Sequence, residues 1–238
     1  MPFSRARLSA LILSALIPGS GFAQEPGFFT DVHISAGMTQ GSSDTADGGA
    51  DFAGGGVVKD VKFQNTAGIG IDAGYQLDPA WSLFLSYQYA HSDVRWNAEF
   101  PAIGVASRFS GDALSHTVLA NVGYAIPLTS ATTLRATAGL GAAFNSFSNV
   151  VERDKATSFF LSDVADGTRT SPAARLGIGL RYAVTRNTMV GLDASVTYLG
   201  GFRTGETRSG NLGVTRITPY EIDDVWRTGL SASVGARF

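Results

Sequence analysis

The sequence contains no cysteine, so no disulfide can staple the fold. It has no unbroken apolar run of about 18 residues or more, which excludes a helix that crosses a bilayer. Neither sign of charge prevails. A net charge of −2 over 238 residues gives no electrostatic case for nucleic acid as a partner. Lysine is confined to Lys59, Lys62 and Lys155. No P-loop occurs, and no His/Cys or His–Glu cluster has metal-ligand spacing in the chain, so no cofactor or metal site is expected. Without disulfides, stability must come from elsewhere, and a closed hydrogen-bonded barrel can supply it.

What is present begins with an export signal. Arg5 and Arg7 precede a short apolar stretch, Leu8 to Ile17. Pro18, Gly19 and Ser20 break it, and Gly21-Phe22-Ala23 offers the small residues a signal peptidase reads. Cleavage is expected after Ala23, which divides the chain into a signal peptide, 1–23, and a mature domain, 24–238. The stretch is too short for a membrane anchor.

The mature chain alternates apolar and polar residues with a period of two. Eight strands are predicted, over residues 28–38, 67–77, 81–89, 114–126, 134–144, 174–184, 190–198 and 226–238. Their lengths suit tilted strands that cross a bilayer. Connections after the second, fourth and sixth strands are tight. Those after the first, third, fifth and seventh are long, about 40–65, 91–112, 145–172 and 200–224. Loops of that length count against a soluble domain, but short turns on one side and long loops on the other suit an outer-membrane barrel. The fold class is therefore all-β: an eight-stranded antiparallel up-and-down transmembrane barrel with both mature termini in the periplasm.

A soluble barrel has the same period with its apolar face inward. The minor face decides the matter. It is Gly, Ser and Thr with a few Arg and Asp, whereas all three lysines and all five glutamates fall outside the predicted strands. A narrow interior suits that composition. The apolar face is thus expected to meet lipid. Asp31, Asp72, Asn121, Arg135, Arg175, Arg181, Asp193, Arg227 and Arg237 are expected to form a polar network in the lumen, with His33 and Gln76 on the same face. Buried charges need partners, so the network is read as a plug, with a narrow pore as the alternative. Tyr75, Trp81, Tyr124, Tyr182 and Phe238 fall at the lower strand ends on the apolar face, where an aromatic girdle belongs.

These features together resemble the small outer-membrane β-barrel proteins of the opacity and OmpA/OmpX type. The resemblance covers essentially the whole mature chain. The ending Leu230, Ala232, Val234, Ala236, Phe238 is similar to the signature that the barrel-assembly machinery recognises in that class. The resemblance implies location in the cell outer membrane, contact with its lipid and lipopolysaccharide, and long loops available to host or surface ligands. It is to one-domain members, so no peptidoglycan-binding domain is expected after Phe238.

Two local features bear on chemistry. Asp44, Asp47 and Asp51 lack the spacing of a calcium loop and read as a solvated surface segment. His91 and His116 flank the second long loop on the lipid-facing parity, next to Ser92 and Ser115, which admits a lipid A hydrolase as a third reading; a nucleophile needs a base within reach. The expected function is non-enzymatic: an envelope-structural barrel with surface contacts through its loops. The alternatives are a narrow porin-like channel and the hydrolase.

Overall fold

The computed structural model describes residues 26–43, 57–100, 104–211 and 213–238. The expected signal peptide and the Asp44, Asp47 and Asp51 segment lie outside the described residues.

The strands in chain order are β1 (Gly27–Ser42), β2 (Val57–Phe63), β3 (Asn65–Gln76), β4 (Trp81–Phe100), β5 (Val105–Pro127), β6 (Thr132–Asp154), β7 (Phe160–Val164), β8 (Gly167–Ala183), β9 (Thr188–Arg203), β10 (Thr207–Gly210), β11 (Gly213–Arg216) and β12 (Glu221–Arg237). Eight of them, β1, β3, β4, β5, β6, β8, β9 and β12, pair antiparallel in that order. The ring closes where β12 meets β1, from Phe29 opposite Arg237 up to Ser42 opposite Asp223. Closure leaves no open edge, so backbone groups in the wall are satisfied within the sheet. The other four strands are short additions at one end. β2 pairs with the upper part of β4, β7 with the upper part of β6, and β10 and β11 continue from β7.

At the opposite end the ring strands are joined by three tight turns, residues 77–80, 128–131 and 184–187. Each is held by a side-chain oxygen that accepts backbone N–H groups two and three residues on. Asp78 Oδ1 accepts from Ala80 and Trp81, both at 2.7 Å. Thr129 Oγ1 accepts from Ala131 and Thr132, and Thr185 Oγ1 from Asn187 and Thr188.

The wall faces outward with its apolar side. Leu83, Leu85, Leu140, Leu176, Leu192 and Leu230 are each more than half exposed. Between the lower aromatics and Tyr89, His116, Phe144, Tyr198 and Trp226, the outward positions carry no Asp, Glu, Lys or Arg. The inward positions of the same stretch hold Asp31, His33, Asp72, Ser86, Gln88, Thr117, Asn121 and Arg135, all buried.

The long connections differ from expectation. Strand structure continues through most of them. β5 and β6 have 23 residues each, which at about 3.3 Å per residue is roughly 75 Å of chain. The hydrocarbon layer is about 30 Å thick, so these strands stand well clear of it. Glu99, Glu152 and Glu221, together with Lys59 and Lys62, therefore lie in strands after all, in this upper extension.

Within the extension the polarity of the wall reverses. On β4 the outward apolar run ends at Tyr89, and Val94, Trp96 and Ala98 point inward and are buried. Phe109, Phe147, Leu199, Phe202 and Tyr220 join them in one apolar core. Trp96 stacks on Phe109 with centroids 5.3 Å apart and planes 2° from parallel. Tyr220 packs on Phe109 at 4.7 Å and Phe202 on Phe147 at 5.0 Å. The cause is the change of solvent. Lipid surrounds the lower wall, so apolar groups face out there; water surrounds the extension, so they turn in. Irregular backbone marks the changeover. Asn149, Gly200 and Asp224 have φ of 54°, 73° and 49°, and the β12–β9 register shifts between Ile222 and Trp226, as bulges at barrel rims do.

Candidate functional site

The lumen is the first place where function could reside. Its residues come from all eight ring strands, because every second residue of each strand points in. Asp31 of β1 lies at the centre. Its Oδ2 is 3.6 Å from Arg135 Nη1 of β6 and 3.6 Å from Arg181 Nη1 of β8. Arg181 also reaches Asp193 of β9 at 3.1 Å and donates to Ser233 Oγ of β12. Arg135 stacks over the Phe84 ring, with its guanidinium carbon 4.2 Å from the centroid, and lies 5.3 Å from that of Phe29. These contacts cross the barrel and tie non-neighbouring strands together.

A second cluster sits above the first. Gln88 of β4 accepts from Arg175 Nη2 at 2.6 Å and from Arg227 Nη2 at 2.7 Å, and donates to Ser35 Oγ at 2.9 Å. Asn121 donates to Ser86 Oγ at 2.9 Å. Asp72 faces Asp31 directly across the β1–β3 ladder, and its Oδ1 has no partner among the described residues. A cavity of about 50 Å³ lined by His33, Asp72, Gln88, Arg175 and Arg227 has room for a little water. A smaller one of about 30 Å³ lies on the other side of Asp31 and Arg135, towards Gln76 and Arg237. Gln76 serves the first turn, donating to the Asp78 carbonyl at 2.7 Å. Arg237 is half-buried at the lower mouth, opposite Phe29.

Glycine makes this crowding feasible. Two of the carboxylates lie over the bare backbone of a paired strand. Asp31 faces Gly235 and Asp193 faces Gly179. At both glycines a Cβ would collide with the carboxylate.

Outside the lumen, Tyr75, Trp81, Tyr124, Tyr182 and Phe238 are all exposed on the outer wall near the turns. Trp81 packs on Tyr124 at 4.8 Å and Phe28 on Tyr75 at 4.9 Å. Leu230, Ala232, Val234 and Phe238 are exposed along β12, and Ala236 is half-buried.

At the upper rim the Ser/His arrangement separates. His91 and His116 face outward, whereas Ser92 and Ser115 are buried in the lumen, 3% exposed each. Ser92 donates to the Gln64 carbonyl and Ser115 to Asn145 Oδ1. His116 Nδ1 and the Tyr87 hydroxyl are 2.8 Å apart. The barrel wall stands between these serines and histidines, so adjacent sequence positions do not make a nucleophile–base pair. Higher up, Lys59 donates to Glu99 at 2.5 Å, and this bond holds the Glu99 carboxyl below its ordinary pKa.

Sequence reasoning missed three groups. Gln88 binds both upper arginines, yet a single amide among polar positions carries no signal. Phe29 and Phe84 interrupt the polar parity and cover Arg135. Trp96, Phe109 and Phe147 form the upper core. The available signal was the shift of apolar residues from odd to even positions on β4 between Tyr89 and Val94.

A family model described as an outer membrane protein beta-barrel domain matches residues 9–238. Among solved structures, OprG from Pseudomonas aeruginosa aligns with 14% identity over 90% of this chain and 98% of its own, with a TM-score of 0.51. Neisserial surface protein A aligns with 17% identity over 90% of this chain and 100% of its own, at 0.46. The outer membrane protease OmpT from Escherichia coli aligns with 8% identity over 90% and 94%, at 0.46. No curated protein sequence matches this one significantly.

Proposed function

This chain belongs to the outer membrane protein beta-barrel family, and from that premise we propose that it is a non-enzymatic envelope protein whose closed barrel anchors a rigid extracellular extension. The observation that carries this reading is the double closure of the lumen. The Asp31–Arg135–Arg181–Asp193 cluster crosses it at one level, and the aromatic core around Trp96 and Phe109 fills it above. An eight-stranded interior is just wide enough for its own side chains, and here large ones occupy it. The turn side, with Gly27 and Arg237, is the periplasmic side in this reading, and the outward row from Leu230 to Phe238 is what the assembly machinery meets.

The surface role rests on the extension. Its hairpins share a core, so their outer faces are presented by a scaffold. Phe159 and Val214 are three-quarters exposed on the β7–β10–β11 end, and apolar tips in water suit contact with another surface.

Planar-bilayer recording of the refolded protein tests the reading. The expected result is no steady conductance from wild type. Steady, saturable current that changes with Arg135→Ala or Arg181→Ala would overturn it in favour of a narrow channel.

A further inference from the structure

Just above the upper aromatics, the outer wall brings three metal-ligating side chains together. Asp93 of β4 and Asp112 of β5 stand directly opposite each other in the ladder. His91 lies two residues below Asp93 on the same face. The imidazole nitrogen and the two carboxylate oxygens lie within 4.8 Å of one another. His91 Nε2 is already 3.2 Å from Asp112 Oδ1. Asn149 donates to the other Asp112 oxygen at 2.7 Å, which fixes the carboxylate's orientation.

Like charges directly opposite in an antiparallel pair repel, and the barrel answers that problem elsewhere. In the lumen, Asp31 and Asp72 are opposed in the same way, but Asp31 has Arg135 and Arg181 beside it. On the extension, Glu221 and Asp223 share Arg169, and Glu206 has Arg216. At the rim, Asp112 has the His91 imidazole as its one basic neighbour and Asp93 has no Lys or Arg within ion-pair distance, among the described residues. A bound cation would supply what the side chains do not.

We propose that His91, Asp93 and Asp112 bind a divalent first-row metal ion of the zinc type on the outer wall, at the level of the outer headgroups. One imidazole and two carboxylates make a mixed nitrogen–oxygen donor set, which suits zinc better than calcium or magnesium with their all-oxygen preference. Bonds of about 2.0–2.2 Å in a tetrahedron put donors roughly 3.4 Å apart. The His91–Asp112 pair is near that spacing at 3.2 Å, and Asp93, within 4.8 Å of the other donors, must close by at most about 1.4 Å, which a change of rotamer accommodates. Three protein donors leave a further position for water or a headgroup oxygen. Asn149 acts as an outer-shell support for Asp112.

The test is calorimetric titration of zinc chloride into the folded full-length barrel in detergent, with calcium chloride as comparison. The chain has no cysteine and three histidines. His33 is buried in the lumen, so His116→Ala is the control. The expected result is one saturable zinc site, weakened by about tenfold or more in His91→Ala and in Asp93→Asn, and unchanged in His116→Ala. Each variant is checked for the heat-modifiable gel shift of a folded barrel. The proposal is overturned if wild type takes up no zinc saturably, if both His91→Ala and Asp93→Asn bind it as tightly as wild type, or if calcium binds equally well.

Discussion

At the scale of single residues, the lumen is governed by what each charge would face alone. Asp31 is shared between Arg135 and Arg181, and all three side chains are less than a tenth exposed. Removing the carboxylate strands the Arg135 guanidinium in a desolvated space and leaves Arg181 with Asp193 as its remaining acidic partner. Asp31→Ala is therefore expected to destabilise the barrel by about 3–5 kcal/mol, measured by urea unfolding in lipid vesicles. A double replacement of Asp31 and Arg135 by apolar residues of similar volume should cost less than Asp31→Ala, because it removes the stranded charge along with its partner while Arg181 keeps Asp193. The glycines opposite the charges are part of the same arrangement. Gly179→Val should push Asp193 off Arg181 and lower stability, while Gly104→Ala, where a Cβ meets nothing, isolates the cost of its positive φ from that of steric crowding.

At the scale of elements, every ring strand but β3 is a piece of lipid-facing wall continued upward past the rim, and above β3 the short strand β2 takes its place beside β4. The lower part was legible in the sequence because one parity is apolar over a whole span, as from Leu230 to Phe238, and the other parity lacks Lys and Glu. The lumen residues were legible for the same reason, since parity alone assigns Asp31, Arg135 and Arg181 to one face. The upper part was hidden by the reversal. Val94, Trp96 and Ala98 continue the period of β4 with the opposite sense, and a stretch that changes sense reads as irregular. The convergence of His91, Asp93 and Asp112 was hidden by register, because the ladder that faces residue 93 to residue 112 has no trace in local spacing.

Each half of the strand has its own expected mutational signature. Leu140→Arg, at a mid-wall position 71% exposed to lipid, should cost about 2–4 kcal/mol in vesicles. Trp96→Ala opens the upper core and should cost about 3–5 kcal/mol. Its effect should be local: protease should cut the β4–β5 hairpin faster while the heat-modifiable shift persists. Trp96→Phe should be much milder, since the buried indole N–H has no partner among the described residues to lose.

At the scale of the whole molecule, two inversions of the same chemistry share one closed sheet. Below the rim, the barrel is apolar outside and charged within. Above it, the same strands are polar outside and apolar within. The join lies at Tyr89, His116 and Tyr198, where the proposed metal site also sits. In the proposed reading, the outer-membrane wall surrounds a lumen closed by its own side chains and carries an extracellular scaffold built from the continued strands.

Because the chain lacks cysteine, single cysteines can report on the wall one residue at a time. The most direct test is a spin-label accessibility scan along β4, from Ser82 to Gln88, in lipid vesicles, with oxygen as the lipid-soluble relaxant and a nickel chelate as the water-soluble one. The account predicts strict alternation. Labels at Leu83, Leu85 and Tyr87 should collide with oxygen, and labels at Ser82, Phe84, Ser86 and Gln88 should be shielded from both reagents. Nickel access at the even positions would reveal a water-filled lumen, and oxygen access there would reverse the wall; either result contradicts the account.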